Sequence, residues 1–491
     1  MRASGVLLHI TSLPSVGGIG TLGVQARRFA DFLSAAGQKY WQILPLGQTG
    51  YGDSPYQTFS TYAGNPYMID LELLQQEGLL TEQEVRQTNF GGSETKIDFA
   101  QQYRVRYALL NQAFLRSRER KTEEYKSFCR SNPWLKDYAL YMAIKRSQDM
   151  HSWEHWPQEL RLREKAAMQR ARRELREDIQ FFTYLQFLFF RQWKSFKDYV
   201  NQKGIQLIGD IPIYVPYDSA DVWANPSLFQ LDENALPTAV AGCPPDAFTQ
   251  DGQLWGNPLY RWEQHRRSGY RWWLSRIAAC KELVDVVRID HFRGLESYWA
   301  VPYGDTTARG GAWVKGPGSN FIRAVKRAFP DYPLIAEDLG FLTPAVCRLL
   351  KYSGYPGMKV LQFAFDPREP SDYLPHNYTQ NCVCYPGTHD NETLAQWVAG
   401  ADAQTVRFAK TYLSVGRKSV LADAIIRAGM HSAADLFIVP MQDLLHLGAE
   451  ARMNEPGTVS TENWSWRMKK NQITKHLADR LLALTKEAGR A

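Results

Sequence analysis

VDVVRIDHFRG, residues 284–294, decides how the rest of the chain is read. Val284, Val286, Val287 and Ile289 form a β-branched run of the kind that fills a parallel strand buried on both faces, where no alternation of polar and apolar residues is expected. The run stops at Asp290, with Arg288, His291 and Arg293 close by in sequence. Side chains two apart on a strand point the same way, so Arg288 and Asp290 are expected to share a face, and a fixed guanidinium beside a carboxylate holds it ionised. From this segment alone the arrangement reads equally as a prepared anionic nucleophile or as a buried Arg-Asp pair that closes the end of a strand.

Seven further short apolar runs share the pattern: residues 5–10 (GVLLHI), 40–46 (YWQILPL), 205–210 (IQLIGD), 333–338 (PLIAED), 358–365 (MKVLQFAF), 382–385 (CVCY) and 436–440 (LFIVP). Helical signals lie between them. Phe29, Phe32, Leu33 and Ala36 make an apolar stripe that Gly37 stops, and helices are expected around residues 321–329 and 420–428. Eight strands alternating with helices predict an α/β protein built on a closed (β/α)8 TIM barrel, which carries its chemistry at the C-terminal ends of its strands. Asp210, Asp290, Glu337, Asp366 and Asp390 fall at or just after five of those ends. Each alone reads as readily as a helix N-cap. Five acids converging on one pocket cost stability unless the site uses them.

At 491 residues the chain is long enough for one such domain, spanning 1–491, with insertions at the C-terminal face. Residues 47–67, GQTGYGDSPYQTFSTYAGNPY, lack periodicity but are rich in tyrosine, and are read as a substrate-binding loop carrying Tyr51, Tyr56 and Gln57. Residues 95–200 read as a mainly helical insertion. Within it Met168, Ala171, Leu175, Ile179 and Phe182 recur at helical spacing, so the charges between 161 and 178 form a solvated face. Residues 216–262, with Pro-Pro, Asp-Gly and Asn-Pro pairs, read as a second irregular substrate-binding insertion in which Trp255 is either a plug or a stacking surface.

Composition narrows the classes. Aromatic residues make up 13% of the chain, which suits ring stacking, whereas a net charge of +7 spread among interspersed acids argues against nucleic-acid binding. Six cysteines form no CxxC pair and no metal-ligand spacing, which fits reduced thiols in the cytoplasm. No signal peptide and no run near membrane-spanning length occurs, so no membrane association is expected. A monomer or weak homo-oligomer is expected.

Walker, GxGxxG, HExxH and GxSxG patterns are all missing. An acid-rich barrel then leaves divalent-metal catalysis or glycosyl transfer by paired carboxylates. Arginines flanking Asp290, a histidine beside Asp390 and aromatic loops suit sugars better than a metal. The segments GDIPIYV (209–215), RIDHFRG (288–294), AEDLG (336–340) and GTHDNET (387–393) resemble the four ordered motifs of the α-amylase clan. GYGDSPYQ, PPDAF, GQLWGNP and the late ENWSWR (462–467) narrow the resemblance to the 4-α-glucanotransferases, or amylomaltases and disproportionating enzymes, of glycoside hydrolase family 77, over essentially the whole chain.

That resemblance implies a transferase that passes a segment of a 1,4-α-glucan to the 4-hydroxyl of glucose or another glucan, with maltooligosaccharides as partners and neither cofactor nor metal. It implies Asp290 as nucleophile, Glu337 as general acid and base, and Asp390 as the carboxylate that steadies the transition state. Retention of configuration requires two carboxyls about 5 Å apart, one anionic and one protonated. Arg288 is expected to hold Asp290 ionised, and Glu337, with no arginine beside it in sequence, to keep its proton. Asp210 and His389 are expected to bind the reacting glucose, Tyr56 to stack beneath it and Trp255 to cover the acceptor side, with Ser54, Gln57 and Asp366 also near the sugar. Cys243 stands where an aliphatic residue is expected and exposes closure of that loop to thiol chemistry. No C-terminal β-sandwich is expected, since only about 50 residues follow the eighth run. The alternatives are an α-1,4-glucan hydrolase of the same clan, distinguished by water access, and a non-catalytic glucan-binding protein, which would be free to lose one of the three acids.

Overall fold

Eight short parallel strands follow one another around a single sheet: β1 Ala3–Leu7, β2 Tyr40–Gln42, β3 Gln206–Ile211, β4 Val286–Ile289, β5 Leu334–Ala336, β6 Gly357–Val360, β7 Cys382–Tyr385 and β8 Leu436–Pro440. The computed structural model describes residues 2–50, 52–245, 250–340 and 342–491; Tyr51 and Asp246, Ala247 and Phe248 of the PPDAF segment lie outside that set. Ladders run from β6 through β7 and β8 to β1, and on through β2, β3 and β4 to β5. The two flanking strands meet where Ala336 N–H donates to the Pro356 carbonyl at 2.9 Å and Met358 N–H donates to the Asp338 carboxylate at 2.6 Å. The sheet is therefore a closed barrel, and Asp338, next to Glu337, is occupied in closing it.

The strands are buried on both faces, which is why they read as unbroken apolar runs: Val6, Trp41, Ile208, Val287, Ile335, Val360, Val383 and Ile438 are all buried. Burial of each such side chain contributes about 1.5–3 kcal/mol. Gly5 permits the close approach of β1 to β2, because a Cβ there would lie 2.4 Å from the Tyr40 carbonyl oxygen. Three runs extend beyond their strands. Leu8, Ile10, Ile43, Leu44, Leu361 and Phe365 are buried in the turns that roof the barrel, so apolar character continues after the ladder has ended.

Helices pack outside: α1 Val24–Ala35, α2 Arg176–Gln202, α3 Arg271–Leu283, α4 Gly318–Ala328, α5 Pro344–Ser353, α6 Leu421–His431 and α7 Lys475–Glu487. Gly37 adopts φ +71° just past α1, the left-handed stop its position announces. Between residues 95 and 200 lie helices Phe99–Arg116, Glu123–Ser131, Leu135–Ser147 and Lys165–Glu174, followed by α2. The stripe from Met168 to Phe182 spans a break: Leu175, at φ −99° and ψ 25°, separates two helices, with Met168, Ala171 and Phe182 still turned inward. No helix among the described residues is long and apolar enough to cross a membrane.

A second sheet stands over the barrel mouth. Strands Ala239–Cys243, Gln253–Pro258, Ser297–Pro302 and Ala312–Lys315 form an antiparallel four-stranded sheet in the order Gln253–Pro258, Ala239–Cys243, Ser297–Pro302, Ala312–Lys315. The region 216–262 is thus not wholly irregular, and Trp255 rides on a strand. Glycines in this region read as turn residues. Gly242 instead lets two strands approach, since a Cβ there would meet the Gln253 carbonyl at 2.4 Å. The Ala312–Lys315 strand is exposed throughout and carries no apolar alternation to reveal it.

Candidate active site

Strand register builds the base of the site. Asp210 on β3 lies opposite Arg288 on β4, and Arg288 lies opposite Ile335 on β5, two residues before Glu337. The Arg288 side chain, 3% exposed, donates to Asp210, reaches Glu337 Oε2 at 3.0 Å and Asp290 Oδ1 at 3.4 Å, and points its Nε at Met358 Sδ, 3.4 Å away. One guanidinium thus serves three carboxyl groups. A cluster with two more anions than cations in a buried place retains a proton.

Asp290 and Glu337, both on the Arg288 guanidinium, are close enough for the charge of each to govern the other. Burial, then the Glu337 charge, pushes the Asp290 carboxyl well above the usual range, with Arg288 opposing. Burial also raises Glu337, but the Arg288 guanidinium, the hydrogen bond from Asp290 and the His291 N–H outweigh it and bring Glu337 down to about 2. The two carboxyls are thus pushed apart, Asp290 up and Glu337 down, the opposite direction to that expected from adjacency in sequence. The reason is geometric: Asp290 follows directly on Arg288's strand, yet the guanidinium lies closer to the carboxylate past the neighbouring strand's end, 3.0 against 3.4 Å.

His291 follows Asp290 in the left-handed region, φ +48°, uncommon for a non-glycine residue. That conformation turns its N–H onto Glu337 Oε2 at 2.7 Å and sets its ring edge-on to Trp255, centroids 4.8 Å apart. Burial lowers the His291 ring to about 4, so it stays neutral.

Tyr56 closes the other side. Its hydroxyl donates to Asp210 Oδ2 at 2.6 Å, and its ring stacks on His389 at 5.3 Å and 14° and touches Trp464 at 5.9 Å. Burial and the Asp210 charge hold the Tyr56 hydroxyl protonated, a permanent donor. The Asp210 side chain is 0% exposed, with Oδ1 unpartnered, and burial raises its carboxyl against Arg288 and Tyr56. Asp210, expected to bind the reacting glucose, here holds Tyr56 and Arg288 and is not among the residues that line the cleft described below. His389, 5% exposed at its side chain, braces Asp390 Oδ2 at 3.4 Å. Asp390 is open, 43% exposed, and its Oδ1 accepts from Asn454 Nδ2 at 2.7 Å.

These groups open into a cleft of ≈ 760 Å³ between the barrel mouth, the four-stranded sheet and residues 454–459. That is the size of small-ligand sites generally. Asp290, Glu337, Asp390, Tyr56, Ser54, Gln57, Trp255 and Cys243 all line it. Ser54 Oγ accepts the Tyr56 N–H at 3.2 Å, and Gln57 Nε2 reaches Asn257 Oδ1 at 3.5 Å. Asp366 is not brought there. The chain leaves β6 at Val360, makes the turn Leu361–Phe363, and delivers Asp366 to Arg368, with contacts of 2.6–3.1 Å.

Sequence reasoning missed four contributors. Trp464 lies within ENWSWR, a segment noted only for its resemblance, and Asn454 lies in an aperiodic stretch that carries no signal. Trp313 belongs to the exposed strand described above. His9, just after β1, accepts the Leu44 N–H at 3.2 Å, and burial together with His389 lowers it to about 3, so it supports the floor as a neutral acceptor. Among the described residues no group of three or more His, Cys, Asp or Glu is arranged to hold a metal ion. Chemically the site offers two touching carboxyls with one proton, a third carboxylate exposed to ligand, and aromatic walls.

Comparison with known proteins agrees with that chemistry. The family model described as 4-α-glucanotransferase, glycoside hydrolase family 77, matches residues 8–474. A 4-α-glucanotransferase of Clostridium butyricum is 45% identical over 487 residues, covering 98% of this chain and 100% of the relative. One from Thermus thermophilus is 45% identical over 501 residues, covering 100% of this chain and 99% of the relative. Among solved structures, an amylomaltase from Streptococcus agalactiae in complex with acarbose superposes with a TM-score of 0.97 at 40% identity, with 100% of each chain covered.

Proposed function

The chain belongs to the 4-α-glucanotransferases of glycoside hydrolase family 77 and is a 4-α-glucanotransferase; we propose that Asp290, Glu337 and Asp390 carry its reaction, with maltooligosaccharides and longer α-1,4-glucans as donors and acceptors. The observation that supports this most is the Asp290-Glu337 pair, two carboxyls and one proton at the ends of adjacent strands on the floor of an aromatic cleft. A retaining transfer begins with one anionic and one protonated carboxyl on either side of a glycosidic bond.

Without substrate the Asp290 carboxyl is pushed up and Glu337 is held down, so the free site favours a proton on the Asp290 side. A glucan threading between the two carboxyls separates them and breaks their hydrogen bond. In the productive complex the proton passes from Asp290 to Glu337, which faces the leaving oxygen, and Asp290 is left anionic within reach of Arg288. Asp290 attacks the anomeric carbon, Glu337 protonates the departing glucan, and a covalent glucosyl-enzyme results. The 4-hydroxyl of an incoming acceptor gives its proton back to Glu337 and attacks the same carbon, restoring the original configuration. Asp390, held by Asn454, is placed to accept hydroxyls of the distorted glucose, and the stacked Tyr56 and His389 rings, with Trp464 tilted against both, support it from below. The acarbose-bound state of the Streptococcus agalactiae relative supports the reading of this cleft as a glucan site.

Transfer wins over hydrolysis when an acceptor occupies the site and bulk water does not. Trp255, Trp464 and residues 454–459 are the walls that would exclude it. Incubation with maltotriose tests the reading: a ladder of longer oligosaccharides plus glucose at constant total reducing ends is expected. Rising reducing ends without longer products would make the protein a hydrolase.

A further inference from the structure

Trp313 has no role in the chemistry described above, yet it is built as a platform. It is 43% exposed on the outermost strand of the four-stranded sheet and lines the cleft. The Arg293 guanidinium lies over its ring, 3.9 Å from the centroid. Trp299 meets it edge-on at 5.2 Å, and Trp299 is itself held by donating its indole N–H to the Ala308 carbonyl at 2.8 Å. An indole fixed on one face and one edge, with the rest left open, is an arrangement for stacking, since a ring serving only as a plug would be buried.

Its place along the cleft follows from the chain. Glu337 accepts the His291 N–H, His291 contacts Trp255, and two residues on Arg293 carries Trp313. Tyr56 and Trp464 form a separate aromatic group, joined through His389, which also contacts Asp390; the donor glucose is assigned to that group. Through residues 291–293 the general acid is thus linked to both Trp255 and Trp313, which line the same cleft.

We propose that Trp313 is a specificity-determining platform of the acceptor arm, stacking on a glucose unit beyond the one that presents its 4-hydroxyl, so that the enzyme favours oligosaccharide acceptors over free glucose. This rests on the assignment of Glu337 to the leaving-group side.

The test uses a maltotriosyl fluoride lacking its non-reducing 4-hydroxyl, which donates but cannot accept, with glucose or maltotriose as acceptor. In Trp313→Ala the ratio of kcat/KM for maltotriose to that for glucose is expected to fall about tenfold, with the loss in KM, the scale of one lost stacking contact. Trp313→Phe should recover most of it. An unchanged ratio, or equal losses with both acceptors, would overturn the inference, the second by exposing a merely structural role. Fluoride release in the first turnover reports the underlying assignment separately. If it persists at the native rate in Asp290→Asn, the catalytic assignment fails, and this inference fails with it.

Discussion

Tyr56→Phe removes one hydroxyl and keeps the ring that stacks on His389, so its effect isolates a single hydrogen bond, that from Tyr56 to Asp210 Oδ2 at 2.6 Å. The Asp210 side chain is fully covered and, among the described residues, its other oxygen has no hydrogen-bond partner, so the variant leaves Arg288 as the one side chain among them that bonds it. A hydrogen bond to a charged group contributes about 1.5–3 kcal/mol. At about 2 cal/mol/K per residue, the unfolding entropy of a 491-residue chain is about 1 kcal/mol/K. The melting temperature should therefore fall by about 1.5–3 °C. The Tyr56 bond also lowers the Asp210 carboxyl, so its loss moves Asp210 further up toward the neutral form. A neutral Asp210 releases Arg288 toward Asp290 and Glu337, changes which of them holds the shared proton, and should lower kcat on maltotriose about tenfold, equivalent to ~1.4 kcal/mol. Calorimetry and initial rates measure both quantities, and the double variant with Asp210→Asn should lose much less than the sum of the single losses. Additive losses, or a lowered melting temperature with an unchanged rate, would refute the link between Tyr56 and the acid pair.

Other outcomes follow from the same geometry. Asp290 has a raised folded-state pKa, so above the unfolded value of about 3.9 the unfolded chain ionises while the fold keeps the proton, at a cost of up to about 1.4 kcal/mol per pH unit. Asp290→Asn should therefore raise the melting temperature at pH 7 and give almost no gain near pH 4; the same gain at both would contradict the assignment. Glu337→Gln should lose transfer by about two orders of magnitude or more while retaining maltotriose binding by calorimetry; near-native transfer in that variant would remove Glu337 as the acid. Asp366→Ala should keep its transfer rate within about twofold, because that carboxylate faces Arg368 outside the cleft; a tenfold loss would show that it reaches the sugar.

The barrel was legible because its strands are buried on both faces, and the eight apolar runs from residues 5–10 to 436–440 coincide with β1 to β8. Their ends were less so, since Leu8, Ile43 and Phe365 are buried in roofing turns and look like strand. The antiparallel sheet was hidden by glycines such as Gly242, which serve strand contact, and by an exposed edge strand. In the site, residues joined by sequence adjacency came together readily: Arg288 with Asp290, and His389 with Asp390. What adjacency did not reveal was which partner across the barrel lies nearest. Arg288 favours Glu337 past the end of the next strand, Asp210 bonds Tyr56, and Asn454, from a loop 64 residues away, holds Asp390.

The most direct test of the account is to trap the covalent intermediate. Glu337→Gln is mixed with maltotriosyl fluoride, whose leaving group needs no acid, and the protein is digested and its peptides weighed. One maltotriosyl unit is expected on the peptide containing Asp290, formed with release of fluoride and discharged slowly because no base activates the acceptor. Fluoride release with the sugar on any other residue, or transfer without a protein-bound sugar, would contradict it.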